Sequence, residues 1–476
     1  MPTQLISRSI FKAYDIRGII GKTLDAQVAF VIGQAFGAAI IAKGETSAVI
    51  GRDGRLSGPD LCRALARGLQ LSGVNVIDLG VVATPMLYFS THALTAHSGV
   101  MVTGSHNPPE YNGFKLVLAG EAIYGDAIQS LYNTIIQKPF PYGGGRESDD
   151  NSSNNSGSYT QHDIRPAYLK RIISDITLAR PMHIAVDCGN GVAGAFAGDL
   201  YKGLGCITDE LFCEVDGTFP NHHPDPALPE NLRDLIRHVQ TGAAEIGLAF
   251  DGDGDRLGVV TKGGNIIYPD RQLMLFVKDV LTRHPGAPII YDVKCSGHMT
   301  EWIKEHGGVP LMWKTGHSLV KAKLRETGSP LGGEMSGHIF FQDRWYGFDD
   351  GLYAGARMLE LLSRVADPSA LLNALPQSIS TPELQISREQ GDSAAIIRQI
   401  QESDHVAAFF PNAQEIIRID GLRIDYADGF GLARASNTTP VIMMRFEAET
   451  ADALIRIQAD FKNAILAVKA DVIFPF

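Results

Sequence analysis

The chain alternates between short apolar runs and longer stretches in which apolar residues recur with the period of a helix. In the first such series, strands are predicted at 48–51 and 75–79, and helices at 59–72 and 84–96. An alternation of strands and helices is typical of parallel sheets whose faces are covered by helices. The pattern therefore predicts an α/β fold built on parallel sheets.

The alternation restarts twice along the chain. A second series of strands and helices runs from 164 to 250, and a third runs from 270 to 326. Beyond Pro368 the order changes to a helix, three strands of antiparallel appearance and a terminal helix at 451–468. We therefore predict three successive, similar α/β domains and a smaller C-terminal α+β domain.

A polar segment at 142–161 separates the first two series. It contains Gly-Gly-Gly-Arg and a run of Asn and Ser, which cannot bury apolar surface, so a flexible linker or exposed loop is expected there. This segment is the clearest domain boundary. The chain of 476 residues is then predicted to divide into four domains, at residues 1–157, 158–260, 261–372 and 373–476.

Composition and charge narrow the class of protein. Hydrophobic residues make up 45% of the chain and charged residues 20%, as in soluble globular proteins. The absence of a bilayer-length apolar run and of a signal-peptide core leads us to expect a cytoplasmic protein with no membrane partner. A net charge of -11 without any basic run argues against nucleic acid as a partner. The five cysteines form no Cys-x-x-Cys pair, which argues against a disulfide scaffold or a thiolate zinc site.

The segment Val102-Thr-Gly-Ser-His-Asn-Pro108 places a hydroxyl nucleophile, Ser105, just after a predicted strand. Residues 98–103 are apolar and β-prone, whereas the Gly, Asn and Pro around the serine cannot extend a strand. In open α/β sheets, ligands bind at the carboxyl ends of strands, so Ser105 would have access to a substrate. Taken alone, the segment is more simply interpreted as an ordinary turn.

The sequence Asp251-Gly-Asp-Gly-Asp-Arg256 places three carboxylates within five positions after a second predicted strand. Three like charges at such spacing repel one another unless a cation compensates them. Oxygen ligands favour Mg²⁺ or Ca²⁺, and a site with few protein ligands favours Mg²⁺, which keeps positions open for a phosphate oxygen. Asp251, Asp253 and Asp255 are therefore candidate magnesium ligands, with a solvated acidic turn as the alternative.

Two further polar segments are candidates for ligand binding. Glu334, Ser336 and His338 stand at alternate positions, so in an extended loop they would point the same way and could bind the hydroxyls of a polyol. The segment 434–440 offers a guanidinium, hydroxyls, an amide and backbone N–H groups, which are the donors that hold phosphate. Each segment alone is equally interpretable as a polar loop or hairpin turn.

Three cations complete the set of candidate residues: Arg17, Lys115 and Lys294. A serine, a predicted magnesium site, isolated cations and a phosphate-binding segment together favour phosphoryl transfer, in which positioning and charge neutralisation do most of the catalysis. Acyl transfer would not need the aspartates, and the Gly-x-Ser-x-Gly turn of the α/β hydrolases is absent at Ser105.

In these segments the sequence resembles the α-D-phosphohexomutases, and most closely the bacterial phosphomannomutase/phosphoglucomutase group. The resemblance follows the whole chain in order, at residues 14–18, 51–55, 103–108, 112–115, 221–226, 251–256, 314–317, 333–338 and 434–440.

The resemblance implies a heart-shaped molecule in which three α/β domains and a fourth domain, similar to the TATA-binding-protein fold, surround a central cleft. It implies that Ser105 is phosphorylated in the active enzyme and, with Asp251, Asp253 and Asp255, binds Mg²⁺. The phosphoserine would convert a hexose 1-phosphate into a bound hexose 1,6-bisphosphate. This intermediate would turn around, return its other phosphate to Ser105 and leave as hexose 6-phosphate.

The same resemblance assigns roles to the remaining candidates. Arg17, His106 and Lys115 would flank the phosphoserine, with Lys115 or His106 transferring a proton. The phosphosugar-binding residues would be Tyr14, Lys294, His317, Glu334, Ser336, His338, Arg434, Ser436, Asn437 and Thr438, and Arg256 would lie beside the metal loop. We expect a small phosphosugar as the partner, and a monomer with a dimer as the alternative.

The choice of sugar rests on one position. Met335 resembles the version of this loop that accepts both mannose and glucose phosphates, whereas phosphoglucosamine mutases tend to carry Gln there. A phosphoglucosamine mutase is therefore the alternative within the family. A phosphoserine-dependent sugar phosphatase and a sugar-phosphate-binding protein without activity are the alternatives from other classes.

Overall fold

Four β-sheets follow one another along the chain in a computed structural model that describes residues 6–137, 156–389, 391–403, 406–436 and 440–476. Three sheets belong to α/β units and the fourth to an antiparallel α+β unit, which confirms the predicted fold class. Within the described residues, no helix combines the length and the apolarity that a membrane span requires.

The first unit is a mixed sheet with the strand order β1-β5-β4-β2-β3-β7 and β6 paired to β5. Strands β2, β3, β4 and β7 are parallel, whereas β5 is antiparallel to both β1 and β4. The elements are β1 (Ile16–Ile19), α1 (Ala26–Ala42), β2 (Ser47–Arg52), α2 (Gly58–Leu71), β3 (Asn75–Val81), α3 (Thr84–Ala93), β4 (Ser98–Val102), β5 (Tyr111–Leu118), β6 (Glu121–Ala122), α4 (Asp126–Gln137) and β7 (Tyr159–Gln161).

The sheet is mixed rather than parallel throughout, because its outer strands β1 and β5 run antiparallel to each other, and β5 to β4. The connection from β4 to β5 is the Ser105 loop, which is shorter than a crossover between parallel strands requires, so β5 returns antiparallel to β4. The expected linker also needs correction where it is described, because residues 159–161 form strand β7 on the edge of this sheet. The first sheet thus extends past the predicted boundary at 157, and residues 142–155 of the segment lie outside the described residues.

The second unit has the strand order β12-β11-β10-β8-β9. Strands β8, β9 and β10 are parallel, and β11 turns back antiparallel to β10 so that Phe250 lies opposite Leu257. Strand β12 extends this sheet past the predicted boundary at 260. The sequence does not predict this strand, because two residues are too few to give a hydrophobic pattern. The elements are α5 (Arg165–Asp175), β8 (His183–Asp187), α6 (Ala197–Gly203), β9 (Ile207–Leu211), α7 (Arg233–Thr241), β10 (Ile246–Phe250), β11 (Leu257–Thr261) and β12 (Ile266–Ile267).

The third unit has the strand order β14-β13-β15-β16. Strand β13 is parallel to β14 and β15, and β16 returns antiparallel to β15 with Gly333 opposite Ile339. The elements are α8 (Pro269–Val280), β13 (Pro288–Asp292), α9 (His298–Glu305), β14 (Val309–Trp313), α10 (His317–Thr327), β15 (Leu331–Gly333), β16 (Ile339–Phe341), α11 (Gly351–Leu362) and α12 (Pro368–Asn373).

The fourth unit is an antiparallel sheet with the order β17-β22-β21-β20-β19 and β18 paired to β22. Helices α13 and α15 pack on it around Ile397, Phe446 and Phe461. The elements are β17 (Ile379–Ser380), β18 (Leu384–Ser387), α13 (Asp392–Gln401), α14 (Val406–Phe409), β19 (Glu415–Ile417), β20 (Leu422–Tyr426), β21 (Gly429–Ala435), β22 (Val441–Ala448) and α15 (Ala451–Val468).

The hydrophobic core is divided unequally between these units. One cluster of buried residues runs continuously from Val49 in the first unit to Leu375 at the end of the third. A separate cluster lies within the first unit, around Phe36 and Ile50. The fourth unit also has a cluster of its own, and its apolar contact with the third unit is a small one of Val293 with Phe430 and Leu432. The first three units therefore share a core to which the fourth is attached.

Candidate functional site

The Ser105 loop connects β4 to β5 and is held by hydrogen bonds to its backbone. Ser105 adopts a positive φ of 50°, which is uncommon for a residue with a side chain. Its N–H donates to Thr103 Oγ1 at 2.7 Å, and the Thr103 hydroxyl donates to Asp53 Oδ2 at 2.7 Å. Ser105 is 2% exposed, so this nucleophile is buried among ordered partners.

Arg55 holds the same loop by hydrogen bonds to its backbone carbonyls. Its buried guanidinium donates to the carbonyls of Ser105 at 2.8 Å, Pro108 at 2.6 Å and Tyr111 at 2.9 Å, and also to that of Asn107. A Cβ atom on Gly104 would lie 2.4 Å from Arg55 Cζ, so only glycine lets the loop approach this closely. Sequence reasoning gave Arg55 no role, although the segment 51–55 lies within the family resemblance.

The aspartate loop connects β10 to β11 and meets the serine loop directly. Asp251, Asp253 and Asp255 are fully buried, and one carboxylate oxygen from each lies within 4.8 Å of the others. The Ser105 hydroxyl donates to Asp251 Oδ2 at 3.2 Å. A Cβ atom on Gly252 would lie 2.4 Å from the Ser105 carbonyl oxygen, so the two loops touch backbone to backbone.

Lys115, on β5, supplies positive charge to this cluster. Its Nζ donates to Asp253 Oδ2 at 2.7 Å and to Asp255 Oδ2 at 2.5 Å. Burial lowers the pKa of Lys115, but the two carboxylates outweigh burial and raise it well above its ordinary value. Thr84, another residue without a role in the sequence analysis, donates to Asp253 Oδ2 at 2.6 Å.

Burial opposes ionisation of all three aspartates, and Lys115 outweighs it at Asp253 and Asp255, whose pKa values are lowered, but not at Asp251. Burial raises the pKa of Asp251 well above its ordinary value, and the neighbouring carboxylates of Asp255 and Asp253 raise it further. Asp253 Oδ1 and Asp255 Oδ1 are buried and have no hydrogen-bond partner within the described parts of the chain. Converging buried carboxylate oxygens are suited to a hard divalent cation, so these residues fit the predicted metal site.

The polar segment after β15 is a tight turn rather than the extended loop that we expected. The N–H of Glu334 donates to the carbonyl of His338 at 2.9 Å, and Gly337 at the turn has a φ of 104°. The three predicted side chains still converge, because His338 Nδ1 lies 3.1 Å from Glu334 Oε2 and 3.0 Å from Ser336 Oγ. The short return from β15 to β16 makes this turn necessary.

His338 connects this turn to the aspartate loop. Its Nε2 lies 3.3 Å from Asp255 Oδ1, and Arg256 Nε lies 3.2 Å from the same nitrogen. Burial and Arg256 lower the pKa of His338, but the carboxylates of Asp255 and Glu334 outweigh them and raise it to about 9. The charges of the second and third units therefore form one continuous group.

Tyr14 and Arg17 extend the site toward the N-terminus. Arg17 hydrogen-bonds to the side chain of Asn107 and pairs with Asp15. The Tyr14 hydroxyl donates to the Thr315 carbonyl at 2.8 Å, and its ring lies against Gly316.

His317 is the first residue of α10. The centre of its ring lies 6.2 Å from that of Tyr14 and 5.5 Å from that of His338. Burial lowers the pKa of His317 well below its ordinary value, and Lys321 and Lys115 lower it further, so this imidazole is neutral.

The fourth unit contributes Arg434 at the end of β21. Its guanidinium forms an ion pair with Asp420 Oδ2 at 3.1 Å. The same carboxylate oxygen accepts a hydrogen bond from the backbone N–H of Thr315 at 3.0 Å. Arg434 Nε is buried and has no hydrogen-bond partner in the described ranges, from which residues 437–439 are missing. The Ser436 N–H donates to the Val441 carbonyl, whereas the predicted Asn437 and Thr438 lie outside the described residues.

Lys294 is buried between the third and fourth units. Its Nζ pairs with Glu383 Oε1 at 2.6 Å, and Arg445 donates to its backbone carbonyl. The nearby Asp292, which sequence reasoning missed, accepts from the backbone N–H of Met335 at 3.3 Å and from the Thr315 hydroxyl at 3.1 Å. Its position as the last residue of β13 was the available signal, since ligand-binding residues gather at the carboxyl ends of parallel strands.

Asp349 and Lys321 were also missed, because no motif marks them. Lys321 Nζ donates to Asp349 Oδ1 at 2.8 Å, and Asp349 Oδ2 lies 3.9 Å from His338 Nε2. They form a buried charged layer behind the turn. Loops from the three α/β units thus meet around one nucleophile and one acidic cluster, and the end of β21 adds a buried guanidinium; this is the arrangement of a phosphoryl-transfer site.

Comparisons with known protein families agree with a phosphoryl-transfer enzyme and identify the family. Residues 8–141, 166–264 and 268–379 match the models of phosphoglucomutase/phosphomannomutase alpha/beta/alpha domains I, II and III, respectively. Residues 383–464 match the phosphoglucomutase/phosphomannomutase C-terminal domain. The chain belongs to the phosphoglucomutase/phosphomannomutase family.

Individual relatives extend over nearly the whole chain. A phosphoglucomutase of Neisseria meningitidis is 56% identical over 470 residues, which are 99% of each chain. A phosphomannomutase/phosphoglucomutase of Pseudomonas aeruginosa is 52% identical over 469 residues, 98% of each chain. The crystal structure of a phosphoglucomutase/phosphomannomutase family protein from Burkholderia thailandensis, 59% identical, superposes with a TM-score of 0.92 over 99% of this chain and all of that one.

Proposed function

We propose that this protein is a phosphohexomutase that interconverts hexose 1-phosphate and hexose 6-phosphate, and that Ser105 carries the phosphoryl group. The observation that carries the proposal is the Ser105 hydroxyl, 3.2 Å from Asp251 within a buried triad of carboxylates. Acyl transfer would have no use for three aspartates, whereas phosphoryl transfer needs a nucleophile beside a cation site.

Asp251, Asp253 and Asp255 would hold Mg²⁺, with the Ser105 oxygen facing the same point. The support is the convergence of three buried carboxylates, with Asp253 Oδ1 lacking a hydrogen-bond donor among the described residues, together with the hard character of the oxygen ligands. The metal would neutralise charge on the phosphoryl oxygens. Lys115 already holds two of the three carboxylates in place by direct hydrogen bonds.

In the proposed cycle, phosphorylated Ser105 donates its phosphoryl group to the free hydroxyl of a bound hexose 1-phosphate. The bond from Oγ to phosphorus breaks as the bond from the sugar O6 forms, which gives a hexose 1,6-bisphosphate. After this intermediate turns around, its O1 phosphoryl group returns to Ser105 and hexose 6-phosphate leaves. His106, whose Nδ1 lies 3.1 Å from Ser105 Oγ, and Lys115 are the candidates for moving the proton.

A ligand that binds in two orientations needs fixed groups for its non-reacting phosphate and for its hydroxyls. We assign the phosphate to Arg434, Ser436, Asn437 and Thr438, supported by the buried Arg434 guanidinium at the end of β21. We assign the sugar to Tyr14, Lys294, His317, Glu334, Ser336 and His338, with Arg17 beside the phosphoserine and Arg256 beside the aspartates. Since all these residues belong to one chain, we expect a monomer to hold a complete site.

We propose glucose and mannose phosphates as the substrates. The support is Met335 in the sugar turn, together with relatives named phosphoglucomutase and phosphomannomutase/phosphoglucomutase over nearly the full chain. A phosphoglucosamine mutase is the alternative, and comparing kcat/KM for the three sugar 1-phosphates discriminates between them.

The decisive experiment compares Ser105→Ala with Ser130→Ala, which removes an exposed hydroxyl from the same unit. Formation of hexose 6-phosphate is followed with Mg²⁺ and a catalytic amount of hexose 1,6-bisphosphate, and phosphorylated peptides are mapped by mass spectrometry. We expect Ser105→Ala to lose both turnover and the phosphopeptide while keeping its thermal transition, and Ser130→Ala to match the wild type. Substantial mutase activity in Ser105→Ala would refute the phosphoserine role, and release of inorganic phosphate in place of hexose 6-phosphate would favour a phosphatase.

A further inference from the structure

Two cysteine sulfurs lie beside each other in the second unit. Cys188 Sγ and Cys213 Sγ are 3.5 Å apart, and both residues are reduced. Cys188 directly follows β8, and Cys213 lies just beyond the end of β9, the parallel neighbour of β8 in which Leu211 faces Asp187. No function assigned above uses either thiol.

Their geometry is close to that of a disulfide. A disulfide bond is about 2.0 Å long, so the sulfurs would have to approach by roughly 1.5 Å. The backbone around them is fixed, because the N–H of Cys188 donates to the Leu211 carbonyl and that of Asn190 to the Phe212 carbonyl.

The two thiols differ in access to reagents. Cys188 is fully buried, whereas Cys213 is half-buried. The remaining three cysteines, Cys62, Cys206 and Cys295, are buried. A soluble thiol oxidant would therefore reach Cys213 first, with Cys188 directly behind it.

Oxidation of this pair would act on the catalytic loops through a short chain of contacts. Cys188 begins a tight turn that ends at Gly191, whose N–H donates to the Cys188 carbonyl at 2.7 Å. A Cβ atom on Gly191 would lie 3.0 Å from Gly252 Cα and 3.1 Å from the Asp251 carbonyl oxygen. Gly252 in turn touches the Ser105 backbone, so the cysteine turn, the aspartate loop and the serine loop are stacked without side chains between them.

Cys213 is tied to the same region from the other side. A Cβ atom on Gly194 would lie 2.1 Å from the Cys213 carbonyl oxygen, so the Cys213 backbone rests on the short helical turn Val192–Ala195. The first residue of that turn, Val192, donates its N–H to the Gly252 carbonyl at 3.1 Å. Both cysteines are therefore connected to the Gly252 backbone through short series of direct contacts.

We infer that Cys188 and Cys213 form a reversible intramolecular disulfide when the protein meets a disulfide oxidant, and that the oxidised form has lower mutase activity. In the first step the Cys213 thiolate attacks the oxidant, which forms a mixed disulfide and releases one thiol of the oxidant. In the second step the Cys188 thiol loses its proton and attacks the Cys213 sulfur, which releases the second thiol. Two cysteine thiols are oxidised and one oxidant disulfide is reduced.

The test treats the full-length protein with oxidised glutathione and measures two quantities. Peptide mapping without reduction detects the link between Cys188 and Cys213, and this readout is independent of the proposed function. The activity readout rests on the proposed function: we expect kcat to fall by about tenfold to 100-fold, since displacements of about 1 Å at a catalytic loop have costs of that order. Dithiothreitol should restore the activity.

Cys213→Ser and Cys206→Ser form the matched pair of variants, because each removes one thiol from the same unit. Oxidation should leave the activity of Cys213→Ser unchanged and should inhibit Cys206→Ser like the wild type. Cys213→Ser is preferred to Cys188→Ser, because a substitution at the fully buried Cys188 is more disruptive to folding. Wild-type protein that shows only a glutathione adduct, or no modified cysteine, would overturn the disulfide, and equal inhibition of Cys213→Ser would overturn its link to activity.

Discussion

Replacing Arg55 tests whether the nucleophile depends on the backbone support of its loop. In Arg55→Met the carbonyls of four loop residues lose a charged donor, and the carbonyl of Ser105 is buried where water cannot replace that donor. The side chain of methionine fills much of the same volume, so the main loss is of hydrogen bonds and charge.

The magnitude follows from the ion pair that is broken. Arg55 Nε lies 3.3 Å from Asp53 Oδ2, and both side chains are at most 2% exposed. Removing one partner of a buried pair costs about 3–5 kcal/mol, because the other charge stays buried without compensation. Burial raises the pKa of Asp53 even with Arg55 present, which agrees with that cost. Folded domains are stable by roughly 5–15 kcal/mol, so the variant should fold with a reduced margin.

The assay combines urea unfolding with kcat and KM for glucose 1-phosphate. We expect Arg55→Met to lower the unfolding midpoint and to lower kcat by about 100-fold, with KM nearly unchanged, since the loop that carries Ser105 is displaced while the sugar turn is not. Arg55→Lys keeps the charge but loses the planar guanidinium, so its unfolding midpoint and kcat should lie between those of Arg55→Met and the wild type. Arg63→Met is the control, because Arg63 makes only an exposed contact to Asp60. Wild-type kcat and midpoint in Arg55→Met would refute the reasoning.

Three further predictions test neighbouring features. In Gly252→Ala the new Cβ would lie 2.4 Å from the Ser105 carbonyl oxygen, so kcat should fall by about 100-fold. The control is Gly263→Ala, whose Cβ would meet no described atom within 4 Å and which should match the wild type. Equal kcat in the two variants would contradict the contact between the loops. Asp253→Asn should weaken Mg²⁺ binding in isothermal titration calorimetry, because one anionic ligand is lost, and unchanged affinity would remove this loop from the metal site. Burial raises the pKa of Asp350 to about 7, so the folded protein holds a proton that the unfolded chain releases between about pH 4 and pH 7, and stability falls as pH rises through that window. Asp350→Asn should therefore be more stable than the wild type at about pH 8 and approach it near pH 4; the same pH dependence in both proteins would contradict this assignment.

The sequence predicted the parts of the site that follow a recognisable strand. Asp251 comes directly after the buried strand β10, and Ser105 comes three residues after the buried strand β4. The pairing of Lys115 with the aspartates could not be predicted from the strand pattern, because it depends on β5 returning antiparallel beside β4. That reversal places the side chain of Lys115 against a loop of another unit.

The same limit explains the residues that were missed. Arg55 acts on carbonyl groups, and a backbone acceptor leaves no mark in the sequence of its neighbours. Asp349 is an acidic residue in an ordinary loop, and it gains its surroundings only when β15 and β16 bring His338 beside it. Helix α1 (Ala26–Ala42) gives no amphipathic period because it is apolar on most sides, where it packs against α2 (Gly58–Leu71).

The unequal division of the core bears on how the molecule comes apart. One apolar cluster contains residues of all three α/β units, which should melt together, whereas the C-terminal unit has its own cluster and meets the third unit through a small apolar contact around Phe430 and buried polar contacts such as Lys294 with Glu383. Partial denaturation would then strip away Arg434 while Ser105 and its aspartates stay folded. Under the proposed cycle, such a partly unfolded molecule would keep the site of phosphorylation but would lack the phosphate-binding arginine that a full turnover requires.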